Sequence, residues 1–360
     1  MNAKIACKTM GLCLLLLLLM ALPVNAAEID KSIAKCAEIK DGSARLQCFD
    51  NMAKQNAPVK ESSPVDTVAT ATPEEPSPEG KPASVLSQQW ELDGKKGKST
   101  FFMLRPYRPN YFLPVAYNFS PNENTALDFD PDAKPQHNEA KFQLSFKVKP
   151  WCSDIEGIKY LKGIDLWFAY TQLSFWQLYN STFSSPFRDT NYEPEMLVNF
   201  RTDIDIPGID DFKLRFVNIG FNHQSNGRSA PLSRSWNRVV ANAGLEKGNF
   251  NMLLKTWYII PEDEQKSDNP DIARFMGYGE LWLTYYWKQN RFAAMVRNNL
   301  REDNRGAVQL DWSIPLSLIW DKLDMFSIYL QYFNGYGESL LDYNTSVNRI
   351  SAGFMLVDWN

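Results

Sequence analysis

The sequence has little histidine, little cysteine and no excess of positive charge. Two of the 360 residues are histidine, five are cysteine, and the formal net charge is −4 at pH 7. A chain with this charge has no electrostatic basis for binding nucleic acid. Of the two histidines, His137 lies in a polar run that is typical of an exposed loop, which leaves His223 as the candidate for imidazole chemistry.

Long apolar runs are also missing beyond the N-terminus. Residues 1–26 match a secretory signal peptide: Lys4 and Lys8 precede the apolar run Gly11–Leu22, and Val24-Asn25-Ala26 supplies a cleavage site. No later stretch approaches the roughly 20 apolar residues that a membrane-spanning helix needs. Insertion of the remaining chain into a membrane would therefore require a β-barrel, which indicates the outer membrane of a Gram-negative-type cell.

Two segments separate the signal peptide from the rest of the chain. Residues 27–54 are predicted to form a small helical hairpin, in which Cys36 and Cys48 could form a disulfide in an oxidising periplasm. Residues 55–90 are rich in Pro, Glu, Ser, Thr and Ala. This composition cannot bury a core and indicates a disordered linker. The remaining cysteine, Cys152, is assigned no chemistry.

Residues 91–360 are predicted to form the barrel domain, and from about Tyr111 onward they carry a repeated alternation of apolar and polar side chains, the pattern of β-strands with two different faces. Most of these segments are about ten residues long, as a tilted strand needs to cross a bilayer. The chain is therefore predicted to be all-β, a twelve-stranded antiparallel transmembrane β-barrel with a small helical and disordered periplasmic extension. Trp167 is an exception to the alternation. The predicted strands cover residues 111–119, 140–149, 163–176, 195–206, 212–224, 236–246, 249–260, 276–289, 291–299, 306–315, 324–334 and 347–358.

The stretch from Asn222 to Arg238 carries the most informative side chains. His223 and Ser225 are two residues apart, so on a strand they share one face, with Cα atoms roughly 6.5–7 Å apart. A turn through residues 227–235 would return Asn237 beside them on the adjacent strand. The three side chains would then supply a base, a nucleophile and a group that orients the base.

The face that carries these side chains is the more apolar one on both predicted strands. In a soluble sandwich that face would be a sealed core, whereas in a transmembrane barrel it faces lipid. An esterase on this wall would act on a lipid substrate. Because the neutral amide of Asn237 stabilises an imidazolium less than a carboxylate does, a divalent cation is a natural stabiliser of the oxyanion, and the following loop could supply oxygen ligands for Ca²⁺.

Six runs of residues occur in the strand domain in a fixed order. They are Tyr170-Thr-Gln172, Ser184-Ser-Pro-Phe-Arg-Asp-Thr-Asn-Tyr-Glu-Pro194, His223-Gln-Ser225-Asn-Gly-Arg228-Ser-x-Pro-x-Ser233-Arg-Ser-Trp-Asn237-Arg, Ser267-Asp-Asn-Pro-Asp-Ile272, Phe275-Met-Gly-Tyr278 and Gly335-Tyr-Gly-Glu-Ser-Leu340. In their order and spacing these runs resemble the outer-membrane phospholipase A family over about residues 100–360. Residues 27–90 fall outside the resemblance.

The resemblance implies a calcium-dependent phospholipase A1/A2 and lysophospholipase that is activated by homodimerisation. The matching positions are Ser225, His223 and Asn237 for catalysis, Ser184, Arg228, Ser233 and Asp268 for calcium, and Gln172 for the dimer interface. The family implies that the carbonyl of Ser184 comes from the partner subunit to complete the calcium site. Gln172 has the lipid-facing parity of its strand, where an unpaired amide would be costly and a second subunit would relieve the cost.

Two other functions remain open at the level of the sequence. A narrow pore would conduct ions without needing Ser225 or His223, although a barrel of this size should be largely filled by side chains. An envelope anchor would depend on residues 27–90 instead. For the membrane esterase, an N-terminus in the periplasm makes the strand over residues 212–224 run outward, which brings the following loop to the outer leaflet.

Overall fold

The computed structural model describes residues 41, 44–45, 48, 84–93, 103–122, 136–181, 185–209, 211–263, 267–319 and 321–356. The predicted signal peptide, most of the predicted hairpin and the predicted linker up to residue 83 lie outside these residues. The chain divides into two compact units, Met1–Pro76 and Ser77–Asn360, and every described strand belongs to the second. Cys48 is disulfide-bonded, Cys36 lies outside the described residues, and Cys152 is free and exposed.

Strands dominate the described part of the second unit. None of the described helices is both long enough and apolar enough to cross a bilayer. The strands are β1 (Arg105–Pro106), β2 (Asn110–Asn118), β3 (Asn138–Asp154), β4 (Leu161–Trp176), β5 (Phe187–Asp205), β6 (Lys213–Ser225), β7 (Ser235–Lys247), β8 (Phe250–Ile259), β9 (Gly279–Trp287), β10 (Asn290–Asn298), β11 (Gly306–Pro315), β12 (Phe326–Gly335) and β13 (Val347–Leu356). The helices are α1 (Val85–Trp90), α2 (Ile272–Met276) and the 3₁₀ turns Leu316–Leu318 and Asp321–Leu323.

The sheet closes into an antiparallel barrel, because every strand from β2 to β12 pairs with the next and β13 returns to pair with β2. The short strand β1 pairs with β3 next to the residues of β3 that pair with β2, so β1 acts as an interrupted start of β2. Within the described residues the closed barrel therefore has twelve strands, as the alternation predicted. The end at which β6 stops is called the Ser225 end below.

Four strands are longer than the sequence predicted, with 17 residues in β3, 16 in β4, 19 in β5 and 13 in β7. The difference is largest for β5, which begins at Phe187 rather than at the predicted residue 195. The first half of β5 buries Asp189, Asn191 and Glu193 in the lumen. A strand with polar side chains on its buried face gives no apolar alternation, and Pro194 further weakens the strand pattern.

Side chains alternate between a polar lumen and an apolar outer wall. On β6, Asn218 and Asn222 are buried, whereas Ile219 and Phe221 are 49% and 42% exposed. Outward-facing apolar side chains recur around the barrel and form a surface too large for a monomeric soluble protein. This surface matches the lipid-facing band of a transmembrane barrel. Other exposed members include Val115, Leu144, Phe168, Met196, Val239, Leu254, Val296, Leu310, Ile350 and Phe354.

Ion pairs bridge the lumen near the Ser225 end. The Glu139 carboxylate accepts hydrogen bonds from Arg188 at 2.5 Å and from Arg349 at 3.1 Å. Arg349 also donates to Glu338 at 2.8 Å, and Glu338 accepts from Lys141 at 2.8 Å. Because each buried charge has an opposite partner, the network removes the penalty that an isolated charge would carry in the interior.

Val85–Trp90 forms helix α1, so the prediction that residues 55–90 are a disordered linker is wrong for this last part. The Ser84 hydroxyl caps the helix by accepting a hydrogen bond from the backbone amide of Ser87 at 3.1 Å. The average composition of the segment is dominated by Pro, Glu and Ser and hides the few apolar residues at its end. Among these, Leu86 is buried.

Trp90, the last residue of α1, packs inside the barrel at the end opposite to the Ser225 end. Its ring lies 5.9 Å from that of Trp167 and 4.7 Å from that of Phe216, measured between centroids. The Lys147 ammonium lies 3.4 Å from the Trp90 ring centroid. This aromatic cluster explains why Trp167 breaks the apolar-out pattern: its large ring fills the lumen rather than meeting lipid.

Replacing Glu139 with Gln should destabilise the barrel by roughly 2–3 kcal/mol, because Arg188 and Arg349 would each lose one of their two buried carboxylate partners and would keep Asp342 and Glu338 respectively. Urea unfolding in detergent, followed by tryptophan fluorescence, measures the change. Asp205→Asn is the control, since it removes a carboxylate that is 81% exposed and 3.7 Å from Lys213. That control should cost less than about 1 kcal/mol. Equal losses in the two variants would contradict a structural role for the lumen network.

Candidate active site

The hairpin of β6 and β7 fixes the relative positions of three polar side chains. His223 pairs directly with Asn237 across the two strands, and Ser225 follows at the end of β6. All three have the parity of Phe221 and Val239, which are each 42% exposed on the outer wall. His223, Ser225 and Asn237 therefore lie together on the outward face, as the alternation predicted, and each is half-buried.

A chain of two hydrogen bonds runs through the side chain of Asn237. Its Oδ1 lies 2.8 Å from His223 Nδ1, and its Nδ2 donates to Glu262 Oε1 at 3.0 Å. Because an amide oxygen can only accept, Nδ1 of the imidazole is the donor and carries the proton. The other ring nitrogen, Nε2, then has a free lone pair and can accept a proton.

Ser225 lies two residues from His223 on the same face and pairs with Tyr192 of β5. Within the described residues its hydroxyl makes no hydrogen bond, so the oxygen is not committed to another group. Gly227 follows with a φ of 64°, and a Cβ there would lie 3.1 Å from the Tyr192 ring. The glycine lets the chain turn close against Tyr192, which forms the side of the site next to Ser225.

The loop after β6 is held in shape by the side chain of Asn226, which is buried. Its Oδ1 accepts from the backbone amides of Arg234 at 2.9 Å and Arg228 at 3.4 Å, and its Nδ2 donates to the Leu232 carbonyl at 2.9 Å. These three bonds join the two sides of the loop. They fix the backbone that follows Ser225.

A second loop, between β8 and β9, packs against the first. The Ser233 hydroxyl donates to Asp268 Oδ2 at 2.5 Å, and Asn269 Oδ1 accepts from the first backbone amide of β7 at 2.9 Å. Further along this loop the Tyr343 hydroxyl donates to Asp271. Burial and the Asp271 carboxylate raise the pKa of Tyr343, so the phenol remains a donor. The contact brings together Ser233 and Asp268, which are far apart in sequence and were both predicted as calcium ligands.

These two residues have the donor atoms that calcium prefers, a hydroxyl and a carboxylate oxygen. Among the residues that the structure describes, no group of three or more His, Cys, Asp or Glu side chains could hold a metal ion. A cation at this position would therefore depend on main-chain carbonyls and on Ser233 as well as on Asp268. The donor set fits Ca²⁺ and does not fit metals that require His or Cys.

The other two predicted calcium ligands are Arg228, in the loop after β6, and Ser184. The Arg228 guanidinium donates to the backbone carbonyls of Phe187 and Arg188, each at 2.8 Å, and so ties the first loop to β5. The side chain of Arg228 is thus engaged, and only its main-chain carbonyl matches the predicted role. Ser184 lies outside the described residues.

Gln172 is half-buried on the outward face of β4. Its Oε1 accepts from the Tyr170 hydroxyl at 3.2 Å, and its Nε2 donates to the Ser174 hydroxyl at 3.3 Å. The expectation of an unpaired amide in hydrocarbon is therefore wrong, because neighbours on the same strand satisfy both ends. Ser174 is itself fully buried, so Tyr170 and Gln172 are the members of this group that remain accessible on the otherwise apolar wall.

The lumen faces of β6 and β7 are locked directly behind the candidate site. Glu193 of β5 accepts hydrogen bonds from Asn222 at 2.8 Å and from Arg238 at 3.1 Å. Arg238 also donates to Asn222 Oδ1 at 2.5 Å. Since Asn222 precedes His223 and Arg238 follows Asn237, this buried triangle fixes the strand positions that carry the outward-facing pair.

Sequence reasoning missed Glu262, Asn226 and Glu193. Glu193 lies before the predicted start of its strand at residue 195, although it belongs to the run over residues 184–194 that matches the family. Asn226 follows Ser225 directly, yet its bonds depend on the folded loop. Glu262 lies in an acidic loop, Pro261-Glu262-Asp263, and no local pattern distinguishes it from solvent-exposed charge.

Comparisons with known proteins identify the family of the chain. The family model described as phospholipase A1 matches residues 86–356, so the match begins within α1 and ends with β13. A phospholipase A1 from Klebsiella pneumoniae is 38% identical over 257 residues, which are 71% of this chain and 83% of the relative.

Solved structures agree in both sequence and fold. The outer membrane phospholipase A of Escherichia coli is 37% identical, with a TM-score of 0.62 over 72% of this chain and 100% of that chain. An outer membrane phospholipase of Salmonella typhi, solved as a dimer with bound calcium, is 37% identical, with a TM-score of 0.63 over 71% of this chain and 93% of that chain. The chain therefore belongs to the phospholipase A1 family of outer-membrane enzymes.

Proposed function

We propose that the protein hydrolyses the acyl ester bonds of membrane phospholipids and lysophospholipids, as a phospholipase A1/A2, on the outer wall of β6 and β7. The observation that carries the proposal is the 2.8 Å contact between His223 and Asn237 beside Ser225, on a face surrounded by apolar side chains. A phospholipid in the bilayer reaches this face with its acyl chains along the barrel wall, so the ester needs no extraction into water.

In this mechanism the Ser225 hydroxyl attacks the ester carbonyl while Nε2 of His223 accepts its proton. Asn237 holds the Nδ1–H of the imidazole and so keeps the accepting nitrogen toward the serine. The imidazolium then protonates the leaving alcohol, and the acyl group remains on the Ser225 oxygen. A water molecule, deprotonated by the same Nε2, attacks the acyl-enzyme and releases the fatty acid with Ser225 restored.

Ca²⁺ is the proposed cofactor, held by the main-chain carbonyl of Arg228, the Ser233 hydroxyl and the Asp268 carboxylate. When bound, the cation would supply positive charge to stabilise the oxyanion, which a neutral Asn237 does not provide. The 2.5 Å contact between Ser233 and Asp268 supports a shared ligand site. A related phospholipase crystallised with bound calcium adds to this support.

The active form is proposed to be a homodimer in which the partner's Ser184 carbonyl completes the calcium site. Gln172 would lie in the interface, two strands from β6. The half-buried polar groups of Tyr170 and Gln172 on the outer wall support this, because lipid offers such groups no further hydrogen bonds and a second copy can. The monomer would then be silent, which protects the membrane from its own lipase.

The Ser225 end is proposed to face the outer leaflet, with the N-terminal extension in the periplasm. The lumen gives no support to the pore alternative, since ion pairs occupy one end and Trp90 packs within the other. The anchor alternative rests on residues 27–90 and is separated from the lipase by the experiment that follows.

Ser225→Ala should reduce phospholipid hydrolysis by at least about 1,000-fold, because it removes the proposed nucleophile. Fatty-acid release from mixed micelles with calcium present measures the loss. Ser229→Ala is the matched control, since Ser229 lies exposed in the same loop and should keep near-normal activity. Retained hydrolysis in Ser225→Ala, or ion conductance without any hydrolysis in the wild type, would contradict the proposal.

Asp268→Asn should raise the calcium concentration for half-maximal activity by about 10-fold to 100-fold, because the site loses its one carboxylate. A calcium titration of fatty-acid release measures the shift, and excess chelator should abolish activity in both proteins. Asp324→Asn removes an exposed carboxylate at the opposite end of the barrel and is the control. The same calcium dependence in all three proteins would refute the assigned ligand.

A further inference from the structure

Glu262 stands next to the proposed catalytic residues without a role in the mechanism above. It lies three residues after the end of β8, at Ile259, in the loop that leads to Asp268. Its side chain is exposed, yet its Oε1 accepts the hydrogen bond from Asn237 Nδ2 at 3.0 Å. The same amide group presents Oδ1 to His223 at 2.8 Å. Glu262, Asn237 and His223 therefore form one hydrogen-bonded line.

The Glu262 carboxylate determines which of two orientations the Asn237 amide adopts. An asparagine side chain can rotate by 180° and exchange its oxygen and nitrogen at almost no steric cost. If Asn237 rotated, its Oδ1 would face the Glu262 carboxylate, and two acceptors would meet without a proton between them. The carboxylate accepts only, so it selects the orientation in which Nδ2 faces Glu262 and Oδ1 faces His223.

The orientation of the amide in turn decides the tautomer of the imidazole. With Oδ1 facing the ring, Nδ1 of His223 must carry the proton, and Nε2 is free to accept one. With Nδ2 facing the ring, Nδ1 would become the acceptor and the proton would move to Nε2. In that tautomer His223 could not act as the base for Ser225, because its serine-facing nitrogen would already be protonated.

We infer that Glu262 is a positioning residue: its carboxylate orients the Asn237 amide and thereby sets the His223 tautomer that can deprotonate Ser225. Where a buried carboxylate contacts an imidazole directly, that one group sets the tautomer of the ring. Here Asn237 and Glu262 together would set it. The inference rests on the proposed function, because the tautomer matters only if His223 is the base.

Removing the side chain tests the role. Glu262→Ala should lower kcat for phospholipid hydrolysis by about fivefold, the size expected for losing one exposed charge-assisted contact, with little change in KM. Glu262→Gln can donate as well as accept, so it no longer selects one orientation of Asn237 and should recover only a small part of the lost activity. Glu302→Ala is the matched control, since Glu302 is an exposed glutamate at the same end of the barrel, between β10 and β11.

A spectroscopic readout separates positioning from general damage. The chain has only two histidines, so long-range ¹H–¹⁵N spectra of histidine-labelled protein in detergent can resolve both rings. Wild type should show His223 with its proton on Nδ1, and Glu262→Ala should show a mixture of tautomers. The other ring, His137, faces the Asn118 carbonyl through Nδ1 at 2.8 Å and should remain unchanged as an internal reference.

A second substitution, at Asn237, distinguishes orientation of the amide from support of the loop. With Asn237→Asp, the carboxylate at position 237 contacts the imidazole directly, and Glu262 has no amide to orient. The two carboxylates would instead repel each other. Glu262→Ala should then leave activity unchanged or raise it. If Glu262 only supported the loop, the same fivefold loss would recur in both backgrounds.

The outcomes separate this inference from the proposed function. Hydrolysis by wild type with unchanged kcat and an unchanged His223 spectrum in Glu262→Ala would overturn the role of Glu262 and leave the lipase intact. Failure of wild type to hydrolyse phospholipid under any calcium concentration would instead defeat the proposed function. The tautomer spectrum does not depend on activity and would still report whether Glu262 orients Asn237.

Discussion

The alternation of side chains along β6 and β7 is the constraint on which the whole site depends. A shift of one residue would turn His223 and Asn237 into the lumen and would send Asn222 and Arg238 toward lipid. The buried bonds from Asn222 and Arg238 to Glu193 oppose that shift, since each would be lost. The polar lumen is therefore what allows reactive groups to stand on an apolar outer wall.

Polar groups on that wall face a strict requirement, because lipid supplies no hydrogen bonds and an unsatisfied group costs several kcal/mol. Each outward-facing polar cluster meets the requirement with its own partners. His223 is hydrogen-bonded to Asn237, and Asn237 is hydrogen-bonded to Glu262. Gln172 is hydrogen-bonded to its neighbours on β4. The Ser225 hydroxyl makes no hydrogen bond within the described residues, as expected for an atom that must remain free to react.

The sequence predicts the parts of this arrangement that arise from local periodicity. The twelve strands, the outward parity of His223, Ser225 and Asn237, and their return on a hairpin all follow from a two-residue repeat and a turn. The early start of β5 and the helix α1 could not be predicted in this way, because β5 buries charge and α1 gains its stability only inside the barrel. Glu262 meets Asn237 only after β8 has aligned with β7, and calcium ligands were indicated only by resemblance to a family.

The most direct test of an outward-facing, lipid-accessible nucleophile is covalent labelling with a long-chain alkyl fluorophosphonate in detergent micelles, with the modified residue located by mass spectrometry. The account predicts that the phosphonyl group attaches to Ser225 and that His223→Ala prevents the attachment. Modification of a different serine, or of Ser225 at the same rate without His223, would contradict the account.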